Sequence, residues 1–192
     1  MSRPAPRVRV YMACSLDGFI AGPNDDLDWL HVDRKAPGDL APDPSALRFE
    51  PFLSEIGAML MGRTTYEVIT KMGIWPYGEL PVLVATRRPL PSASEPSSAQ
   101  PTLRAVSGPI ETLIAEARAV AGERDVYLDG GDLIRQALNA GLVDEITATI
   151  VPVLLGAGTR LFDGLAGSTN LQFVAHHTFD GGMVQLRARV VR

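Results

Sequence analysis

DVYLDGGDLIRQALNAG, residues 125–141, decides how the chain is read. A short apolar run, 125–131, closes on two consecutive glycines and reads as a buried strand. Leu133, Ile134, Ala137 and Leu138 then fall at helical spacing, and Gly141 ends that helix. A buried strand running through a tight glycine turn into a helix is the repeating unit of a parallel sheet.

The same unit recurs outward from this stretch. Residues 7–14 read as a strand entering a buried sheet, and SLDGFIAGPNDDLDWL after it as a loop apolar enough to fold back over something. Pro44 or Pro51 is suited to a first helical position, with Phe49, Phe52, Leu53 and Ile56 sharing one helix face. AMLM (58–61) is a short buried strand, Arg63 to Met72 a helix, 81–87 a strand and 102–106 another. Ile110, Leu113, Ile114, Ala117 and Val120 form a helical stripe, and 146–155 reads as a strand with a proline inside. Residues 171–179 and 183–191 flank Asp180-Gly181-Gly182, a hairpin signal. The expected fold is α/β in three layers: a mostly parallel sheet with helices on both faces and an antiparallel hairpin at the end.

Length and composition bound the rest. At 192 residues one domain is expected, 7–192, behind a disordered tail at 1–6. PSASEPSSAQP (91–101) reads as a flexible connection between two strands. A net charge of −4 lacks the broad basic face that nucleic acid requires. The single cysteine, Cys14, excludes an internal disulfide and a cysteine-based zinc site, and reads as a small buried hydrophobe. No run reaches the roughly 18 apolar residues of a membrane span. The Pro- and Arg-rich start does not suit a secretory signal, so the cytoplasm is expected. His176 and His177 are adjacent in a strand, face opposite sides and do not share a metal. Asp25, Asp26 and Asp28 read as a solvated loop.

Chemistry is expected beyond the carboxyl ends of the parallel strands. Four such ends are unusual: SLDGFIAG after the first strand, GRTT (62–65), ATRR (85–88) and DGGD (129–132). GRTT and DGGD run directly into helices, whose free N–H groups attract phosphate. Arg63, Arg87 and Arg88 add positive charge, and together these make a cradle for a phosphate-rich dinucleotide. Singly, a glycine before a helix is more often a tight turn and Arg63 a solvated helix residue. The G-x-G-x-x-G and Walker fingerprints are absent.

The ordered set SLDGFIA (15–21), MGRTTYE (61–67), ATR (85–87), DGGDLI (129–134), VDEI (143–146) and PVLLGAGTRLF (152–162) resembles the dihydrofolate reductase-like fold family. It is most similar to the branch holding the reductase domain of the bifunctional riboflavin-biosynthesis deaminase/reductase, over roughly residues 7–190. The resemblance implies an NADPH-dependent reductase that passes hydride to a C=N or C=O carbon of a pterin- or pyrimidine-like small molecule. It would place Gly62, Arg63, Thr64 and Thr65 on the coenzyme's adenosine side, with Thr86 and Arg87 near the ribose. A 2′-phosphate suits arginine, which favours NADPH over NADH. Gly130, Gly131, Asp132 and Leu133 would wrap the pyrophosphate, and Ala13, Ile20 and Gly22 would approach the nicotinamide. On the substrate side it suggests Trp29, Val153, Leu155 and Gly156, with Asp129, the acid before the double glycine, facing substrate. A first-helix acid, Glu50 or Glu55, is the alternative proton source. The branch's Asp-x-Pro-x-Leu-x-x-Arg grip on a phosphorylated sugar is replaced here by IWPYGELPVLVATRR. Two bland readings stand beside these: Asp129 as a cap of the following helix, and Glu50 as a solvated helix residue. A nucleotide-binding module of the same fold without turnover is the alternative function. A homodimer through 171–191 is permitted, and a purely structural dimer is the third reading.

Overall fold

The computed structural model describes residues 6–35, 40–90 and 103–192. The first half of the described chain runs β1 (Val8–Ser15), β2 (Phe19–Ala21), α1 (Phe49–Ser54), β3 (Ile56–Gly62), α2 (Arg63–Lys71) and β4 (Val82–Ala85). The second half runs β5 (Leu103–Val106), α3 (Ile110–Ala121), β6 (Asp125–Asp129), α4 (Gly131–Asn139), β7 (Glu145–Val151), β8 (Thr159–Arg160), β9 (Asn170–Phe179) and β10 (Met183–Val191). Eight strands form one sheet in the order β5-β4-β3-β6-β1-β7-β10-β9. The first six are parallel, while β10 is antiparallel to both β7 and β9.

Alternate residues of the central strands feed two cores. Val8, Val10, Leu60 and Leu128 face α3 and α4, packing with Ile114, Ala117, Ile134 and Ala137. Met59, Met61, Val84 and Tyr127 face the other way, packing with Phe52 of α1 and Tyr66 of α2. Helices therefore cover both faces, as a parallel sheet demands. No described helix is long and apolar enough to cross a membrane.

Boundaries differ from the sequence reading where backbone chemistry intervenes. The strand expected over 146–155 stops at Val151, because Pro152 has no N–H to give a ladder. The expected strand 125–131 ends at Asp129, and Gly131 already opens α4. Ile56, expected on a helix face, is the first residue of β3. Pro51 sits inside the first turn of α1 rather than at its first position, and Pro44 lies in a turn closed by Ala46 N–H on the Asp43 carbonyl at 3.1 Å. The small sheet of β2 and β8 was not legible in the sequence. It brings the first loop against the loop after β7 so closely that a Cβ on Gly158, at φ +133°, would lie 2.0 Å from the Ala21 carbonyl oxygen. Arg9, within an alternating stretch, is buried and ion-paired with Glu145, Asp125 and Glu55. The stretches expected as a tail (1–6, save Pro6) and as a flexible connection (91–101) lie outside the described residues.

Candidate active site

A cleft of about 630 Å³ opens at the carboxyl ends of β1, β3, β4 and β6. Two helix openings form its floor. Gly62 is the N-cap of α2 and Gly130 the N-cap of α4, and neither helix has a side-chain cap. In α4 the described ladder begins with Ile134 N–H on the Gly130 carbonyl at 3.0 Å, so the N–H groups of Gly131, Asp132 and Leu133 precede the first intrahelical bond. Gly130 has φ +100°, and a Cβ there would lie 3.0 Å from Thr65 Oγ1 and 3.3 Å from Gly62 N. The two openings thus abut, and only glycine permits both the dihedral and the approach.

Ala13, Ile20, Gly62, Arg63, Thr64, Thr65, Asp129, Gly130, Gly131, Asp132 and Leu133 all line this cleft. Arg63 is held in place by donating from Nε to Glu67 Oε1 at 2.6 Å and from Nη1 to the Pro89 carbonyl at 3.0 Å. That arginine bond keeps the Glu67 carboxyl below its ordinary pKa. The Asp132 side chain turns outward to Arg135 and Gln136, so the part of it that serves the cleft is backbone.

Asp129 is the buried acid of the site, with 8% of its surface exposed. Oδ1 accepts from Gly130 N–H at 2.6 Å and Oδ2 from the Tyr127 hydroxyl at 3.1 Å. Burial pushes its pKa up to about 6, against the downward pull of these two bonds. It is not the cap of α4, since Gly130 occupies that position.

Other expected residues lie elsewhere. Glu50 lines a different cavity, with Gly57, Pro81 and Arg124 at the amino ends of the strands, so the sheet separates it from the cleft. Glu55 is engaged by Arg9. Trp29 is buried beneath the first loop, its Nε1 donating to the Asp26 carbonyl at 3.2 Å, while its neighbours Leu27 and Leu30 reach the cleft. Gly22 is turned into the loop by its N–H bond to the Asp26 carbonyl at 2.8 Å. Val153, Leu155 and Gly156 do not line the cleft but hold the loop after β1. The Val153 carbonyl accepts from Leu16 N–H at 3.0 Å, and the Leu155 and Gly156 amides donate to the Asp17 carboxylate at 3.1 and 2.8 Å. The Ser15 hydroxyl, ahead of these two amides, holds Asp17 at a pKa of about 2. Thr86 closes a turn, accepting from Arg88 N–H at 3.1 Å, and Arg87 is exposed.

The sequence reading left out that Asp25, exposed as a solvated-loop residue is, also lines the cleft and shares a left-handed backbone with Asn24. It also overlooked Glu67 and Tyr127. Only Glu67 had a signal available, the i, i+4 spacing from Arg63. Cys14 is buried and its thiol is pushed up to about 11, which leaves it protonated.

This geometry has relatives. Residues 6–185 match the family described as the RibD C-terminal domain. The chain belongs to that family. A relative described as uncharacterized protein YyaP, from Bacillus subtilis (strain 168), is 29% identical over 94% of this chain and 93% of its own. A putative riboflavin biosynthesis protein from Shewanella sp. PV-4 superposes with a TM-score of 0.78 at 28% identity, covering 97% of this chain and 99% of the other. Dihydrofolate reductase from Enterococcus faecalis superposes with a TM-score of 0.58 at 16% identity, covering 97% of each chain. The RibD C-terminal fold seen here is thus the dihydrofolate reductase-like α/β fold with its antiparallel C-terminal strands, as the motif order implied.

Proposed function

We propose that the protein is an NADPH-dependent reductase that delivers hydride to a C=N or C=O carbon of a pterin- or pyrimidine-like small molecule. The observation that carries this reading is the contact between the two glycine-led helix openings beside one buried, weakly acidic carboxyl. Two adjoining sets of unpaired N–H groups suit a pyrophosphate and its neighbouring phosphate. The crevice Gly130 leaves beside Gly62 and Thr65 is one that any side chain would crowd.

In this reading Gly131, Asp132 and Leu133 offer backbone N–H groups to the pyrophosphate, and Thr64, Thr65 and Arg63 hold the adenosine end. Among the described residues Arg63 Nη2 makes no hydrogen bond, and in this reading it serves a 2′-phosphate. Thr86 and Arg87, just outside the cleft, complete that end. A reduced nicotinamide supplies the hydride when bound. Met12, Ala13, Ile20, Leu27 and Leu30 give the wall an apolar stretch that excludes water from the reacting atoms. Asp129 holds a proton over part of the neutral range and gives it to the heteroatom next to the reduced carbon. The Enterococcus faecalis enzyme of this fold is complexed with NADP(H), which agrees with the coenzyme chosen here.

Thermal melting with NADPH, with NADH and without ligand tests the coenzyme. A rise with NADPH larger than with NADH is expected, and no rise with either refutes the reading. Loss of the reduced-nicotinamide absorbance on adding dihydrofolate or a 5-aminouracil derivative then tests turnover, while binding without oxidation points to the module without turnover.

A further inference from the structure

β1 and β6 pair through Val8↔Val126, Arg9↔Tyr127 and Val10↔Leu128, and then part. Beyond the last pair, the Tyr127 side chain fills the gap. Its hydroxyl lies 3.0 Å from the Tyr11 carbonyl oxygen and 3.1 Å from Asp129 Oδ2. A phenol has a single proton, and an ionised Asp129 presents only acceptors. The hydroxyl then serves the carboxylate and leaves the Tyr11 carbonyl without it. When Asp129 carries a proton on Oδ2, the carboxyl donates to the phenol oxygen and the phenol donates to Tyr11. All three oxygens are then satisfied. Besides the carboxyl proton itself, the two arrangements differ only by rotation of the phenol O–H bond.

We propose that Tyr127 is the positioning residue of the acid: its hydroxyl turns from the Tyr11 carbonyl to Asp129 as the carboxyl loses its proton, and so stabilises the carboxylate that forms. The inference rests on Asp129 being the proton donor of the reductase reading. In the proton step the Asp129 Oδ2–H turns from the phenol oxygen to the substrate heteroatom; that O–H bond breaks and a bond from the hydrogen to the heteroatom forms. The heteroatom accepts it with the electron pair released from the double bond as the adjacent carbon receives hydride from the reduced nicotinamide. Asp129 ends as carboxylate and recovers its proton from solvent, and Tyr127 keeps its own throughout. A hydrogen bond that strengthens as charge appears is the kind that lowers a barrier.

The titratable groups around Asp129 agree with this role. Tyr127 is fully buried, and burial followed by the Asp129 charge keeps its phenol protonated. Tyr77, between α2 and β4, is likewise kept protonated, by burial and then by Asp129. Tyr11 faces Tyr127 from β1, and Asp25 and Arg63 share the cleft. The direct partners of the carboxyl are thus the Tyr127 hydroxyl and Gly130 N–H.

The test is a carboxyl-carbon NMR titration of the ligand-free chain labelled at aspartate, with the Asp129 signal assigned by its loss in Asp129→Asn. In Tyr127→Phe the Asp129 pKa should rise by about one pH unit, a tenfold weaker acid. An unchanged or lower value overturns the proposal. A site-specific 3-fluorotyrosine at position 127, a stronger donor of the same shape, should lower the Asp129 pKa, and no change there also overturns it. That second measurement stands even where the phenylalanine variant fails to fold. The alkaline limb of the kcat profile, where Asp129 loses its proton, should move with the titration in Tyr127→Phe. Failure of NADPH to raise the melting temperature would sink the reductase reading while leaving the titration result intact, so the two failures are distinct.

Discussion

Gly130→Ala probes the contact on which the site depends. The alanine Cβ would stand 3.0 Å from Thr65 Oγ1 and 3.3 Å from Gly62 N, and the residue would have to keep φ +100°. A left-handed backbone costs an L-residue about 1–2 kcal/mol. The crowding falls on a helix N-cap backbone and a cleft side chain, and adds about 1 kcal/mol on the scale of core overpacking. The sum, about 2–3 kcal/mol, lowers the melting temperature by roughly 5–10 °C in a chain of this length. Gly62→Ala is the control: its Cβ would meet nothing within 4 Å, and φ is −72°. It should cost no more than about 1 kcal/mol, the scale of a poorer N-cap. Differential scanning fluorimetry of both variants, with and without NADPH, reads the outcome. Gly130→Ala should melt early and lose most of its NADPH-induced rise. A Gly130→Ala protein as stable as the parent, with its NADPH response intact, would refute the abutting-openings argument.

Four further outcomes are expected. Arg63→Ala and Arg87→Ala should each weaken NADPH by about 1–3 kcal/mol, the scale of a charge-assisted hydrogen bond. Isothermal titration reads the loss, and unchanged affinity in both would reject this placement of the phosphate end. Asp129, with a folded pKa of about 6, lies above its unfolded value, so its contribution to stability is complete below about pH 4 and is lost as pH rises through 6. Against the parent, Asp129→Asn should therefore gain about 2 kcal/mol between pH 4 and pH 7. A parallel pair of stability–pH curves from denaturant melts would contradict the buried-acid assignment. Asp17, held at about pKa 2, has the opposite sign: its contribution is present above about pH 4 and lost as pH falls toward 2, and Asp17→Asn should flatten that limb. Phe173 on edge strand β9 is 65% exposed beside Leu171, and we propose this edge as the contact with a second copy of the chain. Phe173→Asp should shift a dimer to monomer in sedimentation velocity, and a parent that sediments as a monomer would reject it.

The sheet was legible because its central strands are buried on both faces and read as apolar runs between glycines. That glycine opens both helices at the cleft floor was legible too, in GRTT and DGGD, but their contact was not. What the sequence hid was distance across the chain. Asp17 reads as one polar residue in a loop, and nothing local tells that its carboxylate caps amides 138 and 139 residues away. Arg9 alternates as a wet-face residue would, yet β7 and β6 bring Glu145 and Asp125 to it in the interior. Trp29 has the size and polarity of a ligand contact, but its loop tucks it inward and presents Leu27 and Leu30 instead. Glu50 failed for a simpler reason. α1 is six residues long and runs straight into the start of β3, so Glu50, on one face with Leu53 and Ser54, stays near the amino ends of the strands, the edge opposite the cleft.

The parting of β1 from β6 links the site's shape to its chemistry. A parallel ladder carried on past Val10↔Leu128 would close the crevice and occupy the Tyr11 carbonyl with a backbone partner. Separation leaves room for a ligand but strands a buried acceptor, whose desolvation costs about 1–3 kcal/mol if unmet. Tyr127 meets it from the side of the same gap, and in doing so places its hydroxyl within reach of the carboxyl two residues on. Strand periodicity puts residues 127 and 129 on one face, so any acid at the end of β6 would meet that phenol. The phenol held against the carboxyl and the opening beside it are therefore two consequences of one break in a sheet. Restoring the ladder would close the opening and free the phenol from the Tyr11 carbonyl.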